Sequence, residues 1–428
     1  WKAATLVGIG QVVFTSIVSY GICRLVGLTH VASVYIGIAI SLSSTIIVIK
    51  LLSDRGDLDK LYGRIVLGIL IVQDLVAILM LIFINGAGES IVGLMWNTIS
   101  IGAGIAISLY FIARYIFPPL LKTIAKSQEL MFLFSIAWCL VVAVVAAKLH
   151  FSIEVGALLA GISLASTPYA VQINSRVKPL RDFFLVLFFV HLAAGMTFVD
   201  VQSIVIPAII LSFFMLFLTP FIVLAIMGAL GFSKRNSFLT GITVAQISEF
   251  SLIVVALGVS KGVLESEMLT LVAIIAIITM VGSTYLITYG KRIYNFLSPV
   301  LKFFERKKLV DQLNYHDKGL EYKVYLFGYN RIGYSVLQSL TKMQKSYLII
   351  DHNPETVVEL GKKGMHCKYG DAEDIELLAE LNTNKIEMAI STIPDFDTNM
   401  LIIDKIREVN HDAIIIITAH QLEDALEF

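Results

Sequence analysis

Ten apolar stretches fill the first 290 residues, nearly all long enough to cross a hydrocarbon core of about 30 Å at about 20 residues per crossing. Nothing else constrains the fold as strongly. In lipid every backbone polar group needs an internal partner, so such a series reads as an all-α multi-span membrane bundle. The spans fall near 3–21, 31–52, 65–84, 91–116, 129–148, 153–169, 182–199, 202–230, 237–259 and 266–290; the sixth is short and the eighth long enough to tilt. Composition agrees: only 15% of the residues are charged, against roughly 25% in soluble domains.

The loops alternate in charge. One set carries Arg55, Lys60 and Arg64, then Lys122 and Lys126, then Arg176, Lys178 and Arg181, then Lys234 and Arg235. The other offers Arg24, Lys148 and Lys261. Positive residues stay inside, so both ends of the block, and whatever follows it, are expected in the cytoplasm, with the bundle in the cytoplasmic (inner) membrane. A formal net charge of +0 gives no sign of a nucleic-acid partner. Cys23, Cys139 and Cys367 show neither metal-ligand spacing nor a disulfide framework. The apolar run directly after Lys2 and the stop at Glu427-Phe428 suggest a piece of a longer chain at both ends.

Hydropathy changes near residue 290. Residues 291–322 form a charged linker containing Glu305-Arg306-Lys307-Lys308. From 323 short apolar strands are expected at 323–327, 346–350, 365–369, 386–391 and 413–418, with helices between them. That alternation predicts an α/β Rossmann-like domain over 323–428, after a membrane domain over 1–290.

Within the spans, polar residues mark a candidate pathway. Gln73-Asp74 lies at the centre of IVLGILIVQDLVAILMLIFI. A mid-membrane carboxylate costs about 3 kcal/mol or more and usually lines a route for ions. Lipid disfavours its charged form, which suits a site that alternates between a proton and a cation. The bland reading is an Asp paired with a base or capped by hydroxyls, but no Lys or Arg lies deep in any other span. Ser41, Ser43, Ser44 and Thr45 interrupt the middle of the second span, where hydroxyls and freed carbonyls could replace a hydration shell or merely pack helices closely. Gln246, Ser248 and Glu249 interrupt the ninth. Matching interruptions, second from each end, are the mark of an inverted-repeat transporter with two broken helices crossing at the midplane. Glu249 reads first as a neutraliser of helix N-terminal dipoles and otherwise as a second titrating acid. His191 and Glu154 receive no role.

In the α/β domain, the strand KVYLF runs into Gly328-Tyr329-Asn330-Arg331-Ile332-Gly333, and Asp351 ends the next strand. Phosphate would rest on the helix N-terminus and the acid would take ribose hydroxyls. Asn330 stands where a dinucleotide site places its middle glycine, so a mononucleotide such as AMP fits more easily than NAD. A degenerate domain that binds nothing is the alternative.

Together, SLSSTIIVIK, IVQDLVAILML, IEVGALLAGISLAS, PLRDFFLVLFFV, AQISEFSLIV, LFGYNRIG and YGDAEDIELL resemble the cation:proton antiporter family, in particular Kef-type potassium–proton antiporters with a C-terminal Rossmann domain. The resemblance covers almost the whole chain. It implies a homodimer with elevator-like alternating access, exchanging K+ (or Na+) for H+ and holding no tightly bound metal. Asp74 would match the ion- and proton-binding Asp, and Gln73 its neighbour. Ser44 and Thr45 would fall at the first crossing, with Gln246 and Glu249 at the second; Asp74, Gln73, Ser44 and Thr45 would hold the transported cation. Gly328, Asn330, Arg331, Gly333, Asp351 and Asp371 would match the motif for an adenine nucleotide. About three upstream spans of the family are lacking, and no residue carries over glutathione gating. A cation channel would need a filter of backbone carbonyls, and Val281-Gly282-Ser283-Thr284-Tyr285 is no such string. A membrane-anchored oxidoreductase would need a catalytic domain beyond the Rossmann fold. A single carboxylate that is neutral with either a proton or a monovalent cation predicts electroneutral, one-for-one exchange.

Overall fold

The computed structural model describes residues 2–85, 100–149 except 101, 103 and 106, 153–194, 201–306, 314–315, 321–329, 331–419 and 422–428. Among them, six helices are long and apolar enough to cross a membrane: Lys2–Leu25, His30–Asp54, Leu61–Leu81, Gln128–Lys148, Ile204–Leu230 and Ser266–Thr288. Each coincides with an expected span. The expected fourth span falls partly outside the described residues. The sixth is the shorter helix Ile153–Ala165. The seventh belongs to a helix that starts earlier, Ala170–Ala194, so Arg176, Lys178 and Arg181 are helical instead of forming a loop; Pro179 is accommodated inside it.

Two of the expected spans are broken, as the matching polar interruptions predict. The second divides into α2 (His30–Ile40) and α3 (Thr45–Asp54), after α1 (Lys2–Leu25). The serines at the break compete for the backbone: Ser41 Oγ donates to Ile38 O at 2.6 Å, and Ser44 Oγ caps α3 by accepting from Ile47 N. α4 (Leu61–Asn85) carries Gln73 and Asp74. The ninth divides into α11 (Lys234–Thr243) and α12 (Glu249–Ser260), with Ser248 as the N-cap of α12. Between these come α5 (Phe117–Ile124), α6 (Gln128–Lys148), α7 (Ile153–Ala165), α8 (Ala170–Ala194), α9 (Val201–Phe213) and α10 (Thr219–Leu230). A π turn at Phe214–Leu218 joins α9 to α10 just ahead of Pro220, whose missing N–H shifts the hydrogen-bond register. α13 (Ser266–Thr288) and the amphipathic α14 (Gly290–Leu301) complete the helical part.

Small residues let the broken helices approach their neighbours. A Cβ added at Gly37 of α2 would stand 3.0 Å from Ser16 O of α1, and one at Gly241 of α11 would stand 2.7 Å from Pro220 O of α10. Two apolar clusters hold this region, one around Ile36, Leu211, Ile275 and Leu252, the other around Ile69, Val223, Leu52 and Phe238.

The C-terminal part is a six-stranded sheet in the order β1-β4-β3-β2-β5-β6. Its strands are β1 (Asn314–Tyr315), β2 (Val324–Phe327), β3 (Tyr347–Asp351), β4 (Cys367–Tyr369), β5 (Met388–Ser391) and β6 (Ile414–Ile417). All neighbours run parallel except β1 against β4. β1 lies in the stretch expected to be a plain linker. Gly361 makes room for it: any Cβ there would run into the Tyr315 ring. The helices are α15 (Arg331–Lys342), α16 (Pro354–Lys362), α17 (Ile375–Glu380), α18 (Phe396–Arg407) and α19 (Leu422–Glu427). Apolar clusters cover both faces of the sheet, as a parallel sheet requires.

Candidate functional site: a crossing of broken helices and an α/β domain docked beside it

The two breaks meet. Ser43 Oγ donates to Val244 O at 2.8 Å, Ser44 Oγ donates to Glu249 Oε1 at 2.9 Å, and Ser251 Oγ donates to Ala39 O at 2.5 Å. The N-termini of α3 and α12 therefore come together, and their positive dipole ends would repel without an anion between them. Glu249, in the first turn of α12, supplies that charge and reaches across to the N-cap of α3.

Asp74 stands at the edge of this crossing, half-buried. Thr45 Oγ1, at the start of α3, lies 3.3 Å from each of its carboxylate oxygens. Among the described residues no Lys, Arg or His pairs with it. One carboxylate, one hydroxyl and a helix N-terminus thus meet at a half-buried spot.

The neighbouring Gln73 is fully engaged. Its Oε1 accepts from Ser43 N at 2.9 Å, and its Nε2 donates to Gln11 Oε1 at 2.5 Å. Gln11 Nε2 in turn donates to Ser41 O at 3.2 Å and to Thr15 Oγ1 at 3.2 Å. Gln73 therefore ties α4 to the first break. Gln11 is wholly buried, and the sequence reading missed it: a lone Gln in GIGQVVFTS carries no spacing signal, and its partner is 62 residues away. Gln246 belongs to the second break but turns away from Asp74: its Oε1 accepts from Ser283 Oγ of α13 at 2.8 Å. The structure thus brings Asp74, Thr45, Ser44 and Glu249 into one chain of contacts, with Gln73 and Gln246 bracing its two sides. The side chains of His191 and Glu154 lie outside the described residues.

In the α/β domain, Gly328 adopts φ 87°, the left-handed region, and a Cβ there would stand 2.9 Å from Thr392 Oγ1. At Gly333 a side chain would run into Gly328 O, so this glycine permits the close packing of α15 on the turn. Asp351 ends β3, with Oδ2 accepting from Tyr329 N at 2.6 Å and Oδ1 from Asn353 N at 2.7 Å. It therefore braces the turn on which a phosphate would rest. Asn330 lies outside the described residues, and Arg331 opens α15.

Asp371 has a different setting from Gly328 and Asp351. It follows β4, in the loop Asp371-Ala372-Glu373-Asp374, and that loop docks on the helical domain. Its carboxylate lies 3.2 Å from Lys60 Nζ and 3.2 Å from Arg235 Nη2. Glu373 reaches Lys60 at 3.0 Å, Arg235 at 3.4 Å and Lys291 at 2.8 Å. Arg64 adds a pair with Glu355 at 2.6 Å. Lys60 is also held from behind by Asp57 at 2.9 Å. Burial alone would raise the Asp371 carboxyl, but Arg235 and Lys60 outweigh it and hold it well below the usual carboxylate range. Burial would likewise lower the Lys60 ammonium, yet Asp371, Glu373 and Asp57 lift it above its ordinary value. Lys60 sits one residue before α4, which carries Asp74, and Arg235 is in the first turn of α11, the first half of the second broken helix. The docking loop therefore grips both elements that build the crossing.

The family model described as "Sodium/hydrogen exchanger, transmembrane" matches residues 1–288, and the one described as "TrkA-N domain" matches residues 324–428. The chain is 25% identical over 423 residues to a protein named putative K(+) efflux antiporter KefB from Alkalimonas amylolytica, a match covering 96% of this chain and 64% of that one. It is 25% identical over 393 residues to the glutathione-regulated potassium-efflux system protein KefC of Klebsiella pneumoniae (strain 342), covering 90% of this chain and 62% of the relative. It also matches, at 24% identity and a TM-score of 0.24, the solved TrkA-N domain of inner membrane protein ybaL from Escherichia coli, over 25% of this chain and 80% of that one. The chain spans less than two thirds of the length of either full-length relative. The exchanger match alone covers well over half of the residues, so this chain is an integral membrane protein of the sodium/hydrogen exchanger family, a family of transporters, with a Rossmann-type TrkA-N domain following the helical bundle.

Proposed function

We propose that the protein exchanges a monovalent cation, K+ in preference to Na+, for H+, and that the α/β domain regulates it by binding an adenine nucleotide, AMP or NAD. The observation that supports this best is Asp74: a carboxylate in mid-helix, without a basic partner among the described residues, facing Thr45 at the first helix break. Asp74 carries either a proton or a partly dehydrated cation. Thr45, Ser44 and the α3 N-terminus complete the polar lining, and Gln73 holds the break in place. The similarity to proteins named as potassium-efflux antiporters favours K+ over Na+. The working form is a homodimer in the inner membrane with the α/β domain on the cytoplasmic side. Nucleotide binding at Gly328, Asn330, Arg331, Gly333 and Asp351 would bias the docked arrangement, because a ligand shifts an equilibrium only by binding one state better. The test is exchange in proteoliposomes with an internal pH dye and a cation series. Asp74→Asn keeps the shape but cannot release a proton, so exchange should vanish at every pH while the protein stays inserted. Wild-type exchange by this variant would remove Asp74 from the mechanism.

A further inference from the structure

Beside the docking loop, the structure contains a cavity of about 410 Å³ that the exchange reading does not use. It opens between the start of α11, the segment after α14, and the end of β4. Six cations line it, Arg235, Lys302 and Arg306 among them, against four acids, Glu305, Asp371, Asp374 and Glu380. Gly328, Gly333 and Asp351 are not among its walls, so it is separate from the turn where a nucleotide would sit.

Its charges do not cancel. Arg235 is spent partly on Asp371 and Glu373, and Lys368 pairs with Glu380 at 3.2 Å. Lys302 and Arg306 have no carboxylate partner among the described residues. Arg235 is 8% exposed, and its buried Nη1 is ion-paired with Asp374 at 3.6 Å but makes no hydrogen bond among the described residues. A buried guanidinium nitrogen that makes no hydrogen bond gains from an acceptor closer than that carboxylate. The N-terminus of the ten-residue α11 also points its partial positive charge at the cavity. Glu305 Oε1 already accepts from Lys234 N there at 3.3 Å, so that N–H is filled and an added anion would rest on the cationic side chains.

We infer that this cavity is a binding site for a phosphate-bearing anion, held by Arg235 Nη1, Lys302 and Arg306. A phosphate offers several acceptor oxygens, which one guanidinium fork and two further cations can share. Two sources have this chemistry. One is a free phosphate anion. The other is a lipid headgroup: Phe296, Val300 and Phe303, 84%, 67% and 90% exposed, form an apolar stripe along α14 and its end, suited to the membrane interface.

The test uses the full chain in phosphatidylcholine nanodiscs and measures binding by calorimetry with inorganic pyrophosphate. In a second arm, lipid retention is measured by native mass spectrometry after reconstitution with added phosphatidylglycerol. Saturable binding in either arm supports the site and identifies the source. K302Q/R306Q changes two exposed side chains and should weaken that binding about tenfold. R306K keeps the charge but loses the fork; it should weaken binding about threefold and carries the test if the double variant fails to fold. Absence of binding in both arms, or binding that both variants leave unchanged, would overturn the assignment.

Discussion

Replacing Glu373 by Gln tests whether the docking loop controls transport. The carboxylate touches three cations, Lys291 at 2.8 Å, Lys60 at 3.0 Å and Arg235 at 3.4 Å. At an effective dielectric of about 20, one pair at about 3 Å is worth on the order of 5 kcal/mol before desolvation is subtracted. The Lys291 side chain is 42% exposed, so that pair is screened and adds little. Lys60 and Arg235 are nearly buried, but Asp371 stays on both of them. The loss therefore falls below the roughly 3–5 kcal/mol of a fully orphaned buried charge. We expect about 1–3 kcal/mol, a shift of about 5- to 150-fold toward the undocked arrangement. Double electron–electron resonance between a spin label on α13 and one on α18 would report the separation, and the pH-dye assay would report exchange on the same preparation. Because Lys60 leads into α4 and Arg235 belongs to the second broken helix, undocking frees both elements and exchange should rise. Separation of the labels with an unchanged exchange rate would refute the coupling; labels that do not separate would refute the energetic estimate.

Asp351→Ala should weaken adenine-nucleotide binding to the full chain by at least about tenfold, because it removes both the ribose acceptor and the brace on Tyr329 N; calorimetry with AMP and NAD reads this, and basal exchange should be unaffected. Docking should be insensitive to pH across the neutral range. The depressed Asp371 carboxyl contributes its stability above its ordinary value of 3.8 and loses it only as pH falls through the lower docked value. The raised Lys60 ammonium contributes below 10.5 and loses its share only as pH rises through a still higher value. The label separation should therefore stay constant between about pH 5 and pH 9 while exchange varies.

How much of this was legible in the chain depended on whether the signal was local. Gln73-Asp74 and the Ser41–Thr45 cluster stand out because polar groups in lipid are costly, so their position alone announces a role. Even the break of the second span was readable, since four hydroxyl residues within the five positions 41–45 offer the backbone competing hydrogen bonds. Gln11 was not readable, because its role comes from Gln73, a residue of another helix. The strands of the sheet came out within about two residues, through their apolar runs and Gly turns. β1 did not, since Asn314-Tyr315 is too short for any periodicity and exists only by pairing with β4. By the resemblance, Asp371 in the loop after β4 matches a nucleotide motif. The carboxylates of that loop in fact face Lys60, Arg235 and Lys291, and no local pattern encodes which surface a domain docks on.

If Asp74 carries the ions as proposed, charge counting across the crossing predicts electroneutral exchange, one proton for one cation. An empty Asp74 carries one negative charge and becomes neutral with either a proton or a monovalent cation. Only neutral forms cross a low-dielectric barrier cheaply. Gln73 beside it does not titrate, and its amide is committed to Ser43 N and Gln11. α9 and α10 contribute no Lys or Arg that could trade places with the cation. The one competing acid is Glu249. Its carboxylate accepts from Ser44 Oγ and sits in the first turn of α12, with two helix N-termini around it. We therefore expect it to act as a fixed countercharge of the crossing and not as a second proton carrier. Solid-supported-membrane electrophysiology under an imposed cation gradient should then show no sustained current in preparations whose pH dye confirms exchange. A sustained current that Glu249→Gln abolishes would mean that Glu249 moves a proton, and that the dipoles of α3 and α12 do not hold its charge.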